Sequence, residues 1–145
     1  MNWKREAVEQ LRNYQSNKRA LKNMADRIAM INERMKATRT AAVSDEPGGR
    51  DGMRQVEDVW LDAITERDNL KIRLSAEQRR VRLVERGLSA LTEDERTILT
   101  MFYIDRPRDH LTAVCERFKV ETATAYRMKD AALRKFVCEE YGEEI

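Results

Sequence analysis

Leu111-Thr112-Ala113-Val114-Cys115-Glu116-Arg117-Phe118-Lys119-Val120-Glu121 runs directly into Thr122-Ala123-Thr124-Ala125-Tyr126-Arg127-Met128-Lys129-Asp130-Ala131-Ala132-Leu133-Arg134-Lys135-Phe136. The apolar residues Leu111, Val114, Cys115 and Phe118 recur at spacings of three and four, which places them on one face of a helix. That helix starts at Asp109 or His110 and ends near Phe118. After Lys119, Val120 and Glu121 a longer helix begins at Thr122, with Ala125, Met128, Ala132, Leu133, Phe136 and Val137 on its buried face. A short helix, a tight turn and a longer helix are the sequence form of a helix-turn-helix. Between Arg117 and Lys135 six basic residues stand against Glu121 and Asp130. A short stripe of this kind suits contact with phosphate better than a diffuse excess of charge.

Upstream, Thr92-Glu93-Asp94-Glu95 has the form of a capping box, and its acidic first turn suits the helix dipole. Ile98, Leu99, Phe102 and Tyr103 form the apolar face of the helix it opens. That helix stops before Pro107, because the residue ahead of a proline avoids the α region.

Further outward the period changes. Residues 1 to 39 contain no Gly or Pro. Ala7, Tyr14, Leu21, Ile28 and Met35 make one heptad row, and Trp3, Met24 and Ile31 the other, interrupted by Gln10 and Asn17. A second run has Met53, Trp60, Leu74, Val81 and Leu88 in one row with Arg67 intruding. Its other row holds Val56, Ala63, Leu70, Val84 and Leu91, with Glu77 intruding. Heptads sustained this long predict a coiled-coil seam. Each helix of about 38 residues would be roughly 57 Å long at 1.5 Å per residue. Pro47 and the glycines that follow predict a loop over 40–52, and Gly87 marks an expected bend. The two helices can fold back as an antiparallel hairpin or pair between chains, and heptads leave both open.

Composition agrees. Of 145 residues 37% are charged and 6% aromatic, with 5 Gly and 2 Pro, too little turn punctuation for a strand-rich sandwich or barrel. No apolar run is long enough for a membrane span, and Met1-Asn2-Trp3-Lys4-Arg5-Glu6 has no apolar signal region. Cys115, Cys138 and a single His, without a CxxC pair, make neither a disulfide framework nor a zinc site, so the expected compartment is the reducing cytoplasm. Met1 to Val43 carries ten basic and four acidic residues, whereas the stretch from Glu93 carries nine and twelve. The expected fold is therefore all-α, with a long antiparallel coiled-coil arm over 1–91 and a helix-turn-helix module over 92–145.

The module resembles region 4 of the primary sigma factors. The resemblance is carried by Leu111-x-x-Val114-Cys115-x-x-Phe118-x-Val120, by Ala125-x-x-Met128-x-x-x-Ala132-Leu133-Arg134-Lys135-Phe136, and by Leu91-Thr92-x-x-Glu95-Arg96-x-Ile98-Leu99-x-x-x-Tyr103. It covers Leu91 to Val137. Together with the helical arm, the layout is similar to the phage late-transcription regulators of the ArpU/RinA type. A recognition helix reads bases from its N-terminal half in the major groove. The resemblance puts base contacts on Thr122, Ala123 and Arg127, and phosphate contacts on Thr124 and Tyr126. Lys129 follows one turn later as a further phosphate contact. Two positions depart from the family: Lys119 stands where it usually has Gly, and Glu121 where it usually has Ser or Thr. Glu is a poor cap, so Thr122 is the alternative cap.

The implied function is a sequence-specific DNA-binding transcription regulator, a phage or prophage late-gene activator working with host RNA polymerase and self-associating through helices 1–39 and 53–91. Alternatives are a phage small terminase subunit and an adaptor that binds polymerase or another protein but no DNA. No cofactor, metal, membrane or small-molecule substrate is expected, and no enzyme, for want of a nucleophile–base set. Gly48-Gly49-Arg50 lacks the Lys-Ser/Thr pair and preceding strand of a phosphate loop. Cys115 reads as a packing thiol, His110 as a helix-boundary residue, Trp3 and Trp60 as seam residues, and Arg79, Arg80 and Arg82 as a solvated face.

Overall fold

A computed structural model describes residues 2–42 and 50–142. The fold is all-α, with no strand among the described residues. Helix α1 spans Trp3–Ala42, α2 Arg50–Ser89, α3 Glu93–Leu99, α4 His110–Phe118 and α5 Thr122–Tyr141, and a π-helical turn, Thr100–Ile104, continues α3. No described helix is long and apolar enough to cross a membrane.

The expected loop over 40–52 is shorter at both ends. Thr40–Ala42 continue α1, where the Thr40 hydroxyl donates to the Lys36 carbonyl at 2.9 Å. Arg50–Gly52 open α2. Gly52 falls in the first turn, where amides have no intrahelical partner and a glycine disturbs no bond in the ladder. Pro47, Gly48 and Gly49 lie outside the described residues.

The chain divides into two compact units, one drawing on the sequence up to Lys18 and from Arg79 onward, the other on Arg19–Gln78. This differs from a division at 91/92. The reason is α5, whose apolar second half needs cover beyond what α3 and α4 supply.

In the Arg19–Gln78 unit, Ile31 and Met35 of α1 are buried with Ala63 and Leu70 of α2, flanked by Met24, Ile28, Trp60 and Ile64. Arg27 binds Glu66 at 2.6 Å, and Trp60 Nε1 donates to the Met35 carbonyl at 3.4 Å. Later residues of α1 meet earlier residues of α2, so the helices are antiparallel here. The partners belong to one chain, so the heptad seam is occupied without a second copy.

In the other unit two clusters share α3 and α5. Ala7, Leu11, Val84, Leu91, Leu99, Ala132, Leu133, Phe136 and Val137 form the first, and Ile98, Phe102, Val114 and Ala125 the second. Leu11 lies off both heptad rows yet is fully buried, because it packs among residues of α5. Gly87 does not end α2, which runs through it to Ser89. A Cβ at Gly87 would lie 2.6 Å from the Phe136 ring, so glycine here permits close approach of α2 and α5.

The α3 cap forms as the spacing predicts: the Glu95 amide donates to Thr92 Oγ1 at 3.3 Å, and that hydroxyl donates to the Glu95 carboxylate at 2.9 Å. Lys135 of α5 donates to the same carboxylate at 3.1 Å, linking the cap to α5. Burial acts to raise the Glu95 pKa, but bonds from Lys135 and Thr92 outweigh it and hold the carboxyl below the usual range. In the π turn the Asp105 amide donates to the Thr100 carbonyl, five residues back, at 2.8 Å. The wider turn rotates the helix face. Ile98 and Phe102 join the second cluster, Leu99 and Ile104 the first, and Tyr103 packs against both.

Between α4 and α5, Lys119 is left-handed at φ 54° and ψ 49°. A Cβ in this conformation costs about 1–2 kcal/mol, which explains why glycine suits the position. Lys119→Gly is expected to raise stability by about 1 kcal/mol once the greater freedom of glycine in the unfolded chain is subtracted. Thermal denaturation checks this: a lower melting temperature would mean that the lysine side chain itself contributes to the turn.

Candidate nucleic-acid interface

Helix α5 has two unlike halves. Toward its start Ala125 is buried in the cluster with Val114, Ile98 and Phe102. The opposite side of that half carries Thr122, Ala123, Tyr126 and Arg127, all exposed. Residues four apart share a helix face, which groups Thr122 with Tyr126 and Ala123 with Arg127. The α5 cap position is Glu121, whose side chain makes no capping bond. The Thr122 hydroxyl is therefore not used as a cap. Thr124 is half-buried at the edge of this face.

Arg127 is exposed and makes no ion pair or hydrogen bond among the described residues. Tyr126, 41% exposed, leans on Phe102, with ring centroids 6.1 Å apart. The expected phosphate role of Lys129 does not match its position. Its side chain is only 13% exposed, with Nζ 3.4 Å from Asp130. The ammonium also lies 5.0 Å from the Tyr126 ring centroid and 5.6 Å from that of Phe102. A cation over aromatic faces is attracted by their quadrupoles, so packing draws the lysine inward.

Asp130 gathers two cations, Lys129 and, at 3.0 Å, Lys4 of α1. Burial alone would raise its pKa, yet the two ammonium groups hold it below the usual carboxylate range. This acid at the rim is thus largely neutralised, which limits its repulsion of an approaching anion.

A basic segment that sequence reasoning passed over lies next to this face. Phe102 contacts both Tyr126 and His110, the latter edge-on at 5.4 Å. The Arg106-Pro107-Arg108-Asp109-His110 segment thus adjoins the exposed face of α5. Arg106 Nε donates to His110 Nδ1 at 3.1 Å. Burial lowers the His110 pKa and the Arg106 charge lowers it further, against a smaller upward pull from Asp109. Arg108 is exposed and unpaired among the described residues. The available signal was two arginines around a proline just before a helix.

Cys115 and Cys138 are free and half-buried. Trp3 packs beside the first cluster with Arg134 over its ring at 5.9 Å, and Trp60 packs in the Arg19–Gln78 unit. Among the described residues no group of His, Cys, Asp or Glu is placed to hold a metal.

These features define an all-α protein in which two long helices pair within the chain and a terminal helix is buried on one side and open on the other. The chain belongs to the DUF1492 family, described as proteins of unknown function, whose model matches residues 41–136. No curated protein and no solved structure matches the chain.

Proposed function

We propose that this protein is a sequence-specific DNA-binding transcription regulator, a late-gene activator of phage or prophage type that acts at promoters with host RNA polymerase in the bacterial cytoplasm. The observation that supports this reading is the open half of α5. Thr122, Ala123, Tyr126 and Arg127 share an exposed face, and the Arg127 guanidinium has no partner among the described residues. A free guanidinium on the first half of such a helix can bond the O6 and N7 of guanine in the major groove, and the alanine beside it can meet a thymine methyl. In this reading Tyr126 and Thr124 contact phosphate, and the Arg106–His110 segment adds positive charge beside them. Positioning contacts of this kind make binding fall steeply with salt.

Selection from a randomised duplex pool, with the wild-type chain and Arg127→Ala, tests the reading. The wild type is expected to enrich a defined site with salt-sensitive affinity. Arg127→Ala is expected to flatten preference at one or two base positions, a loss of about 1–3 kcal/mol in discrimination. An unchanged profile for the variant removes Arg127 as a reader. Absence of duplex binding at low salt overturns the DNA reading in favour of a protein-binding adaptor.

A further inference from the structure

Helix α5 continues for several turns beyond Arg127, and its outer side stays open there. Arg127, Ala131 and Arg134 are all exposed. Seven residues make two helical turns with a drift of only about 20°. Arg134 therefore lies on the same side of the helix as Arg127, roughly 10.5 Å further along it. Trp3 and Lys4 of α1 lie beside this stretch. With Asp130, Ala131, Arg134 and Lys135 they line a shallow groove of about 500 Å³. All of these residues belong to the unit built from the sequence up to Lys18 and from Arg79 onward.

The charges around the groove are unequally committed. Lys4, Lys129, Arg134 and Lys135 stand against two carboxylates, Asp130 and Glu95. Asp130 is met by Lys4 at 3.0 Å and Lys129 at 3.4 Å, and Glu95 by Lys135 at 3.1 Å. On α1, Arg5 and Glu9 answer each other at 3.5 Å. Arg134 makes no ion pair or hydrogen bond among the described residues. Its guanidinium lies over the Trp3 ring instead, 5.9 Å from the centroid. A ring beneath a guanidinium holds the planar fork while leaving its N–H edges to other partners, and that fork matches two oxygens of a phosphate. The Lys4 and Lys135 side chains stay 48% and 43% exposed despite their partners, so both can still meet an anion. Positive charge continues from here toward the Arg106–His110 segment: Lys4, Arg12 and Arg106 all act on the Tyr103 hydroxyl, with Asp130 opposing them.

We propose that this groove, with Arg134 as its principal donor and Lys4 beside it, anchors a backbone phosphate of the duplex that α5 reads, an inference that rests on the DNA-binding function proposed for that face. The major groove is about 12 Å wide. A helix that sets Arg127 against base edges carries Arg134 outward by nearly that width, to the sugar-phosphate strand at the groove's edge. Contacts of this kind fix register and orientation and carry no sequence information. Trp3 is a positioning residue, acting through the guanidinium it supports. The site thus joins the first turn of α1, which lies outside the helix-turn-helix, to the DNA-binding surface. The other occupant such a groove would suit is an acidic protein segment, and the salt dependence of duplex binding separates the two.

Fluorescence anisotropy of the full chain on labelled duplexes, between about 50 and 200 mM salt, tests it, with thermal melting as the check on folding. One duplex carries the site enriched by selection and the other a mixed sequence. Arg134→Gln removes one charge at an exposed position. It is expected to weaken binding about five- to tenfold near 100 mM salt and to lower the salt slope by about 1. The loss is expected on both duplexes, with base preferences unchanged, in contrast to Arg127→Ala. Adding Lys4→Gln is expected to lower the slope further. Arg134→Lys keeps the charge but not the fork, and is expected to keep the slope while binding more weakly than wild type. A loss of affinity and melting temperature in Arg134→Gln with the slope unchanged would mark a structural role and overturn the proposal. Unchanged affinity and slope in that variant would also overturn it, leaving the DNA reading in place and assigning the groove to an acidic protein partner. A wild type that binds neither duplex at low salt overturns both.

Discussion

Phe136→Ala is expected to remove about 3–5 kcal/mol of stability, the usual range for truncating a buried aromatic. Single domains rarely exceed 15 kcal/mol in total, so the loss is a large fraction of what holds the unit together. Phe136 is fully buried, and its ring lies where α5 meets Gly87 of α2. Removing it opens a cavity in the cluster that joins α5 to Ala7 and Leu11 of α1 and to Val84 and Leu91 of α2. Equilibrium denaturation in urea measures the loss. Gly87→Ala gives the matching test from the other side of the contact. Alanine favours a helix interior over glycine by about 1 kcal/mol, so in an open site this change would stabilise. Here the added carbon would sit 2.6 Å from two ring carbons of Phe136 and 3.1 Å from its carbonyl oxygen. Overpacking of this kind costs about 1–3 kcal/mol, and the net sign is expected to be destabilising. In a Phe136→Ala background the ring is gone, and most of the Gly87→Ala penalty should go with it. A penalty unchanged in that background would mean that the ring is not what makes glycine necessary.

Glu140→Gln is expected to stabilise the protein, and by an amount that depends on pH. Glu140 is 1% exposed, and among the described residues neither carboxylate oxygen has a hydrogen-bond partner of good geometry, although Gln10 and Tyr141 stand beside it. Burial raises its pKa, Gln10 and Tyr141 pull the other way, and the negative charge of Glu6 raises it further. A group whose folded-state pKa is raised contributes its stability fully below the unfolded pKa and loses it as pH rises through the folded value. Near neutral pH the ionised carboxylate therefore weakens the fold, whereas in acid the protonated form resembles glutamine. The gap in melting temperature between Glu140→Gln and wild type should be small near pH 4 and widen toward pH 7. There the gain should reach about 1–3 kcal/mol, because the amide is still buried but carries no charge for burial and Glu6 to penalise. A gap constant across that range would show that the carboxylate is not strained by its charge.

Much of this architecture can be read from residue spacing. The buried faces of α4 and α5, the Thr92–Glu95 cap and the end of the third helix before Pro107 follow from patterns within one or two turns, where backbone geometry alone dictates which side chains are neighbours. The exposed face of α5 is legible for the same reason: once Ala125, Met128 and Ala132 are assigned inward, Thr122, Ala123, Tyr126 and Arg127 are left outward. Lys129 shows where that reasoning stops. Helix period places it near the face, but the rings of Phe102 and Tyr126 and the Asp130 carboxylate draw its ammonium away from solvent. Those rings come from the π turn and from α5 itself, and their meeting point is set by packing between helices.

Local periodicity thus assigned the helices and the side of each that avoids water, because apolar side chains at a 3.5–3.6-residue period leave water together only when the chain is helical. It could not say what covers that side. Whether a heptad row is met by the same chain or by another, whether Gly87 faces solvent or admits a ring, and whether Glu140 ends in a solvated tail or in a core all depend on residues far away in the chain. Those questions were settled by the return of α2 along α1 and by the demand of Leu133, Phe136 and Val137 for cover. Burial is a property of assembled surfaces, and a one-dimensional pattern records only the half of each contact that lies on its own helix.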